Sequence, residues 1–155
     1  MVLIAGVALS VWPSGFHRVG VDIATGSTLT VAVYNTQDTL TGSDLAELHR
    51  LGKPDVYVLP EAGESATVQA ISDAGLPLAF YGTRDNGFGS GYSGEIAPTS
   101  ILTRTDRTAF EQTDAPATSF GSVGIRQTTA PTVSILGIHA APPLPSLMDS
   151  WRVDL

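Results

Sequence analysis

The segment DVYVLPEAG, Asp55 to Gly63, holds four apolar residues, Val56 to Leu59, between turn formers. An unbroken apolar run of this length is the pattern of a short strand buried on both faces. Pro60 ends it, and a carboxylate, Glu61, follows at once in a chain with only 15% charged residues. Upstream, TLTVAVYNT (Thr28 to Thr36) alternates Leu29, Val31 and Val33 against Thr30, Ala32 and Tyr34, which predicts a strand with Asn35 at its C-terminal end. Between the two, TGSDLAELHRLGKPD places Leu45, Leu48 and Leu51 at helical spacing, with Thr41 or Ser43 as N-cap and Gly52 with Pro54 as the stop. ESATVQAISDAG then predicts a second helix that turns Val68, Ile71 and Ala74 inward. The order is strand, helix, strand, helix.

After LPLAFYGT the pattern gives way to RDNGFGSGYSGEIAP (Arg84 to Pro98), a loop too long for a simple hairpin turn. TSILTR, FGSVGIRQT and TVSILGIHA follow with turn signals between them and no helix of ordinary length, so the second half reads as antiparallel sheet. The last residues, PPLPSLMDSWRVDL, predict a helix capped by Ser146 that has barely begun where the sequence stops. At the other end, residues 1–12 (MVLIAGVALSVW) are uncharged and apolar, and shorter than the ~20 residues of a spanning helix. They read as the remnant of a membrane anchor, a signal-like segment lacking a basic start, or a packed N-terminal element. Residues 13–27 read as a turn-rich linker, leaving residues 28–155 as the domain.

The 155 residues suit a single domain with a real core, and 43% hydrophobic content excludes a disordered chain. Sixteen Gly and ten Pro imply many turns. A net charge of −7 with eight Lys and Arg provides no general field for a polyanion, which disfavours nonspecific nucleic-acid coating. A bound divalent cation would invert that sign locally, so an anionic substrate stays open. Without cysteine, disulfides, thiolate catalysis and cysteine-based zinc sites are excluded.

Three polar residues stand at strand ends. Glu61 at the end of a buried strand points to the crevice where open sheets hold ligands, and its hard oxygens suit magnesium or manganese. It reads equally well as a carboxylate offsetting the dipole of the helix that follows. Asn35 is placed to set its amide beside Glu61, or is a turn former. His139, in GIHAAPP, is placed to give a proton or hydrogen bond to phosphate, or is a satisfied strand-end histidine. His17 and His49 carry no assigned chemistry. GSGYSG (Gly89 to Gly94) matches the spacing of a dinucleotide fingerprint, but Pro98 and a β-rich run follow where a phosphate-cradling helix is needed. Ser93 fails as a nucleophile elbow because Glu95 stands where glycine is required.

Taken in order, TVAVYNT, PDVYVLPEA, TSILTR and GIHAAPP…WRVDL resemble the strand motifs of the endonuclease/exonuclease/phosphatase superfamily. The resemblance covers residues 28–155 and implies an α/β (α+β) fold, the deoxyribonuclease I-like four-layer sandwich. It also implies a metal-dependent hydrolase of phosphodiester or phosphomonoester bonds. By the same resemblance Glu61 is a ligand of Mg2+ (or Mn2+), Asn35 an active-site amide, His139 a contact to the scissile phosphate, and Arg104 a structural or rim residue. Pro60 stands where the family commonly has Gln. The family's later Gly-Asp-x-Asn and Asp-His segments have no counterpart here, so the resemblance implies the N-terminal part of the domain, ending about halfway. A noncatalytic fragment or interaction module that keeps the sheet is the competing expectation, and a plain β-rich secreted domain a third. A phosphate ester is the expected substrate, with nucleic acid among the options but not favoured by charge. The acidic balance and the apolar residues 1–12 lean toward a membrane-associated or extracytoplasmic protein.

Overall fold

The computed structural model describes residues 17–22, 28–83, 96–130 and 132–154. The strands are β1 (His17–Asp22), β2 (Thr28–Val33), β3 (Val56–Leu59), β4 (Leu78–Gly82), β5 (Ser100–Arg104), β6 (Phe110–Thr113), β7 (Ser122–Gln127) and β8 (Ser134–Ile138). Two helices, α1 (Gly42–Gly52) and α2 (Glu64–Ala74), sit among the first strands, and α3 (Met148–Asp154) follows a 3-10 turn at Pro145–Leu147. Five strands form one sheet in the order β1-β2-β3-β5-β4, and β6-β7-β8 form a second.

The reading of β3 as a strand covered on both sides holds, for all four of its residues are buried. Val56 and Val58 join Val31 and Ile101 against Phe110, Val123, Ile125, Val133 and Ile135 of the second sheet and its approach. Tyr57 and Leu59 point the other way, with Ala32 and Leu102, into a core closed by Leu45, Leu48 and Ala70 of the helices. Helices, sheet and sheet are thus three successive layers, which is the α/β organisation expected of a sandwich.

α1 starts at Thr41, whose hydroxyl accepts from Asp44 N–H while the Asp44 carboxylate accepts from Thr41 N–H, a closed capping box. It ends at Lys53 in the left-handed region (φ 41°) before Pro54, one residue beyond the expected Gly52. Leu51, counted with the inward stripe, is 54% exposed. In α2 the inward positions are Thr67 and Ala70, and Val68 is exposed. Thr67 tolerates burial because its hydroxyl donates to Gly63 O at 2.7 Å. Local hydrophobicity favoured Val68, but the close approach of α1, with Gly42 against Asp73, turns the smaller side chains inward.

Further expectations change with the strand pairing. The linker assigned to residues 13–27 contains β1, which pairs antiparallel with all of β2, from His17↔Val33 to Asp22↔Thr28. Frequent turn formers mask this strand, because its order comes from the β2 edge and not from its own periodicity. The second half is antiparallel as read, but it is divided between the sheets, since β5 inserts between β3 and β4 of the first. Ser146 lies within the 3-10 turn, whose N-cap is Leu144, and does not cap α3. Residues 1–12 lie outside the described residues. Among the described residues no helix is long and apolar enough to cross a membrane.

Candidate functional site

β2 and β3 run parallel in the register Val31↔Val56 and Val33↔Val58, so their C-terminal ends reach the same edge of the sheet. The two exit loops are laced together there. Thr36 N–H donates to Pro60 O at 3.0 Å, Asp38 N–H donates to Glu61 O at 3.0 Å, and the Thr36 hydroxyl also donates to Glu61 O. Glu61 is held at φ 57°, in the left-handed region that an L residue enters at a cost of about 1–2 kcal/mol. The bonds to its carbonyl retain it in that conformation. Asn35 Oδ1 accepts from Gln37 N–H at 2.9 Å, which turns its Nδ2 toward Glu61, and Nδ2 donates to Oε1 at 2.8 Å.

His139 arrives from the second sheet. It follows β8, and its N–H donates to Gly121 O at 3.3 Å. The same carbonyl accepts from Thr99 Oγ1 at 3.1 Å, and Ser100 Oγ donates to Ala62 O at 2.6 Å, so the exits of β3 and β8 are tied through the start of β5. The two sheets touch nearby. A Cβ on Gly137 would lie 3.0 Å from Val58 Cγ1 and 3.1 Å from Thr99 Cγ2, so any larger residue forces these neighbours to give by a few tenths of an ångström. His139 Nε2 then stands 3.6 Å from Glu61 Oε1. The imidazole is 6% exposed, its ring centroid lies 5.1 Å from that of Phe120, and Nδ1 is buried without a hydrogen-bond partner among the described residues.

Burial pushes the His139 imidazole below its ordinary value of 6.5, with the charges of Glu61 and Asp154 opposing the shift. His49, whose Nδ1 lies 2.7 Å from Tyr57 Oη, is also pushed below 6.5, by desolvation and then by the nearby charge of Arg104. The folded state therefore binds protons at these two rings more weakly than the unfolded chain. Stability from this source is complete above pH 6.5 and is lost as pH falls through the folded-state values. Thermal melts should show a steady melting temperature above about pH 7 and a decline on acidification below 6.5, with a shallower decline in His139→Gln. A melting temperature that rises from pH 7 to 5.5 would contradict it.

The three residues singled out from the sequence, Asn35, Glu61 and His139, therefore meet at one carboxylate. Both contacts fall on Oε1, which leaves Oε2 of Glu61 without a protein partner among the described residues. No group of three His, Asp or Glu among the described residues is set to hold a metal. A single carboxylate with a free oxygen beside an amide still fits magnesium, which takes one or two protein carboxylates and completes its shell with water and phosphate oxygens.

Arg104 lies at the opposite end of the sheet, because β5 runs antiparallel to β3. It pairs with Asp106 at 2.6 Å and has no part in this rim. A depression of about 340 Å³ beside Asp55, Asp106 and Arg107 is also at that far end, away from the converging strand ends. Gly89 to Gly94, with Ser93, lie outside the described residues. Sequence reasoning missed Asp154, whose carboxylate binds the segments on either side of His139. Nothing in WRVDL distinguishes it from a solvated helix acid.

No protein-family model matches the sequence, and no curated protein matches it. Solved structures do. Humanized D. rerio TDP2, carrying 14 mutations, superposes with a TM-score of 0.50 and 18% identity, over 79% of this chain and 51% of its own. The endonuclease domain of TRAS1, a telomere-specific non-LTR retrotransposon, superposes with a TM-score of 0.52 and 12% identity over the same shares. The chain spans about half the length of each.

Proposed function

Because the chain carries the fold of the endonuclease/exonuclease/phosphatase superfamily, the deoxyribonuclease I-like fold, we propose that its strand-end cluster is the metal- and phosphate-binding centre of a metal-dependent phosphoesterase. The reaction class is water attack on a phosphodiester or phosphomonoester. The convergence of Asn35 Nδ2 and His139 Nε2 on Glu61 Oε1 carries this reading. Divalent magnesium or manganese, held by Glu61, would neutralise charge on the phosphate oxygens. Asn35 orients the carboxylate and aligns its free oxygen. His139, held in an apolar wall by Phe120, directs Nε2–H toward the position a phosphate oxygen takes. Each such donor typically contributes ~3 kcal/mol to lowering the barrier. A cation at Glu61 would offset both that carboxylate and the net charge of −7, which favours a phosphate ester settling there.

Titration of the 155-residue chain with Mn2+, followed by paramagnetic broadening in NMR spectra, tests the reading. Broadening should begin at the Asn35 side-chain amide and the His139 ring. Glu61→Gln should weaken Mn2+ binding by more than about a hundredfold, and Asn35→Ala, which only orients the ligand, by about ten- to a hundredfold. Broadening centred on Asp55 and Asp106, or Mn2+ affinity unchanged in Glu61→Gln, would overturn it.

A further inference from the structure

The Asp154 carboxylate takes three hydrogen bonds from two separate segments. Oδ1 accepts from Ser119 N–H at 2.8 Å and from Ser119 Oγ at 3.0 Å, and Oδ2 accepts from Ala141 N–H at 2.7 Å. Both segments bear on His139. Ala141 lies two residues beyond it, and Ser119 precedes Phe120, whose ring faces the imidazole, and Gly121, whose carbonyl receives the His139 N–H. No residue of α3 is fully buried, Met148 and Trp151 are half-buried and Val153 is 69% exposed, so apolar docking alone does not fix where the helix sits. A charged acceptor with three donors does, since hydrogen bonds to a carboxylate are roughly twice as strong as neutral ones. The carboxylate is thus committed to the backbone around the imidazole and not to a ligand.

We propose that Asp154 is a positioning residue that fixes the His139 imidazole against Glu61 and thereby the place of the phosphate group; the proposal rests on reading Asn35, Glu61 and His139 as the metal- and phosphate-binding centre. Its action is confined to one side of the site. The Asn35–Glu61 contact is set by β2, β3 and their laced exits, none of which Asp154 touches. Loss of the Asp154 carboxylate therefore separates two properties that a general loss of structure would remove together: phosphate affinity falls and metal affinity stays.

The experiment compares the full chain with Asp154→Asn, which keeps the volume but turns an amide donor onto backbone N–H groups. The imidazole resonances of His139, assigned with His139→Gln, report ring position. Isothermal titration reports Mn2+ affinity, and inorganic phosphate affinity in the presence of Mg2+. In Asp154→Asn the His139 resonances should move toward those of a solvated imidazole and phosphate affinity should fall about tenfold. Mn2+ affinity should stay within about twofold. Adding His139→Gln to Asp154→Asn should lower phosphate affinity no further. The proposal is overturned by unmoved His139 resonances in Asp154→Asn, or by phosphate losses that simply add in the double variant. Ser119→Ala removes one of the three donors and should shift the same resonances in the same direction by less, which decides the matter should Asp154→Asn fail to fold. Wild-type chain that binds neither Mn2+ nor phosphate refutes the functional reading, while the His139 resonances still decide whether Asp154 positions the ring.

Discussion

Gly137→Val is expected to lower stability by about 3 kcal/mol and to pull His139 away from Glu61. Gly137 lies in β8 where the second sheet meets the first, and any Cβ there falls within 3.0 to 3.3 Å of Val58, Thr99 and Ile101. Val58 and Ile101 lie on adjacent strands of a packed sheet, Thr99 directly precedes β5, and both Thr99 and Ile101 are fully buried, so none can swing aside cheaply. Valine adds two methyl groups beyond that Cβ. β8 must lift, and His139, two residues further on, rises with it. Thermal melts should show a drop of about 6–12 °C for a domain of this size. Gly75→Ala serves as the control, because the same Cβ there meets nothing within 4 Å and the change carries only the strain of φ 62°. Equal melting temperatures for the two variants would show that the sheets do not touch as described.

Tyr57→Ala is expected to be more damaging still, at about 3–5 kcal/mol, the range for emptying a buried aromatic site. The side chain is fully buried beneath the helices and paired in register with Leu102 of β5. Its hydroxyl meets His49 Nδ1 of α1 at 2.7 Å, and burial pushes its pKa up to about 12. The phenol therefore stays neutral throughout the range in which the protein folds. Tyr57→Phe should cost only about 1 kcal/mol, the net worth of one hydrogen bond. Chemical denaturation of both variants checks the pair, and a Tyr57→Ala loss no larger than that of Tyr57→Phe would refute the packing argument.

Much of this arrangement could be read from the residues themselves, and the parts that could not share one physical cause. β2, β3, α1 and α2 have local signals: alternation, an apolar run, capping chemistry and a left-handed stop. Asn35, Glu61 and His139 were visible because each closes an apolar run at a strand end, where a buried chain must turn and a polar group can face a crevice. The pairing of Asn35 with Glu61 was legible from two strands joined by one short helix, but His139 joined them through the resemblance to a known family, since no local pattern says that β8 ends beside β3. β1 was hidden because its partner is β2 and not its own periodicity. β5 was read as antiparallel without its partners, because pairing with β3 and β4 is a choice among distant edges. The left-handed Glu61 and the anchoring role of Asp154 depend wholly on bonds between segments far apart in sequence, which a linear reading does not contain.

The crossing at Gly137 also implies an expected order in which the site assembles. Asn35 and Glu61, 26 residues apart, come together as soon as β2 and β3 pair in parallel, and need only the first sheet. His139 needs the second sheet to form and then to dock on the first. Contacts of long sequence separation close late because chain entropy opposes them until earlier structure is in place. A chain with one sheet formed thus holds the amide and the carboxylate but not the imidazole, and the meeting of all three residues is the signature of two docked sheets.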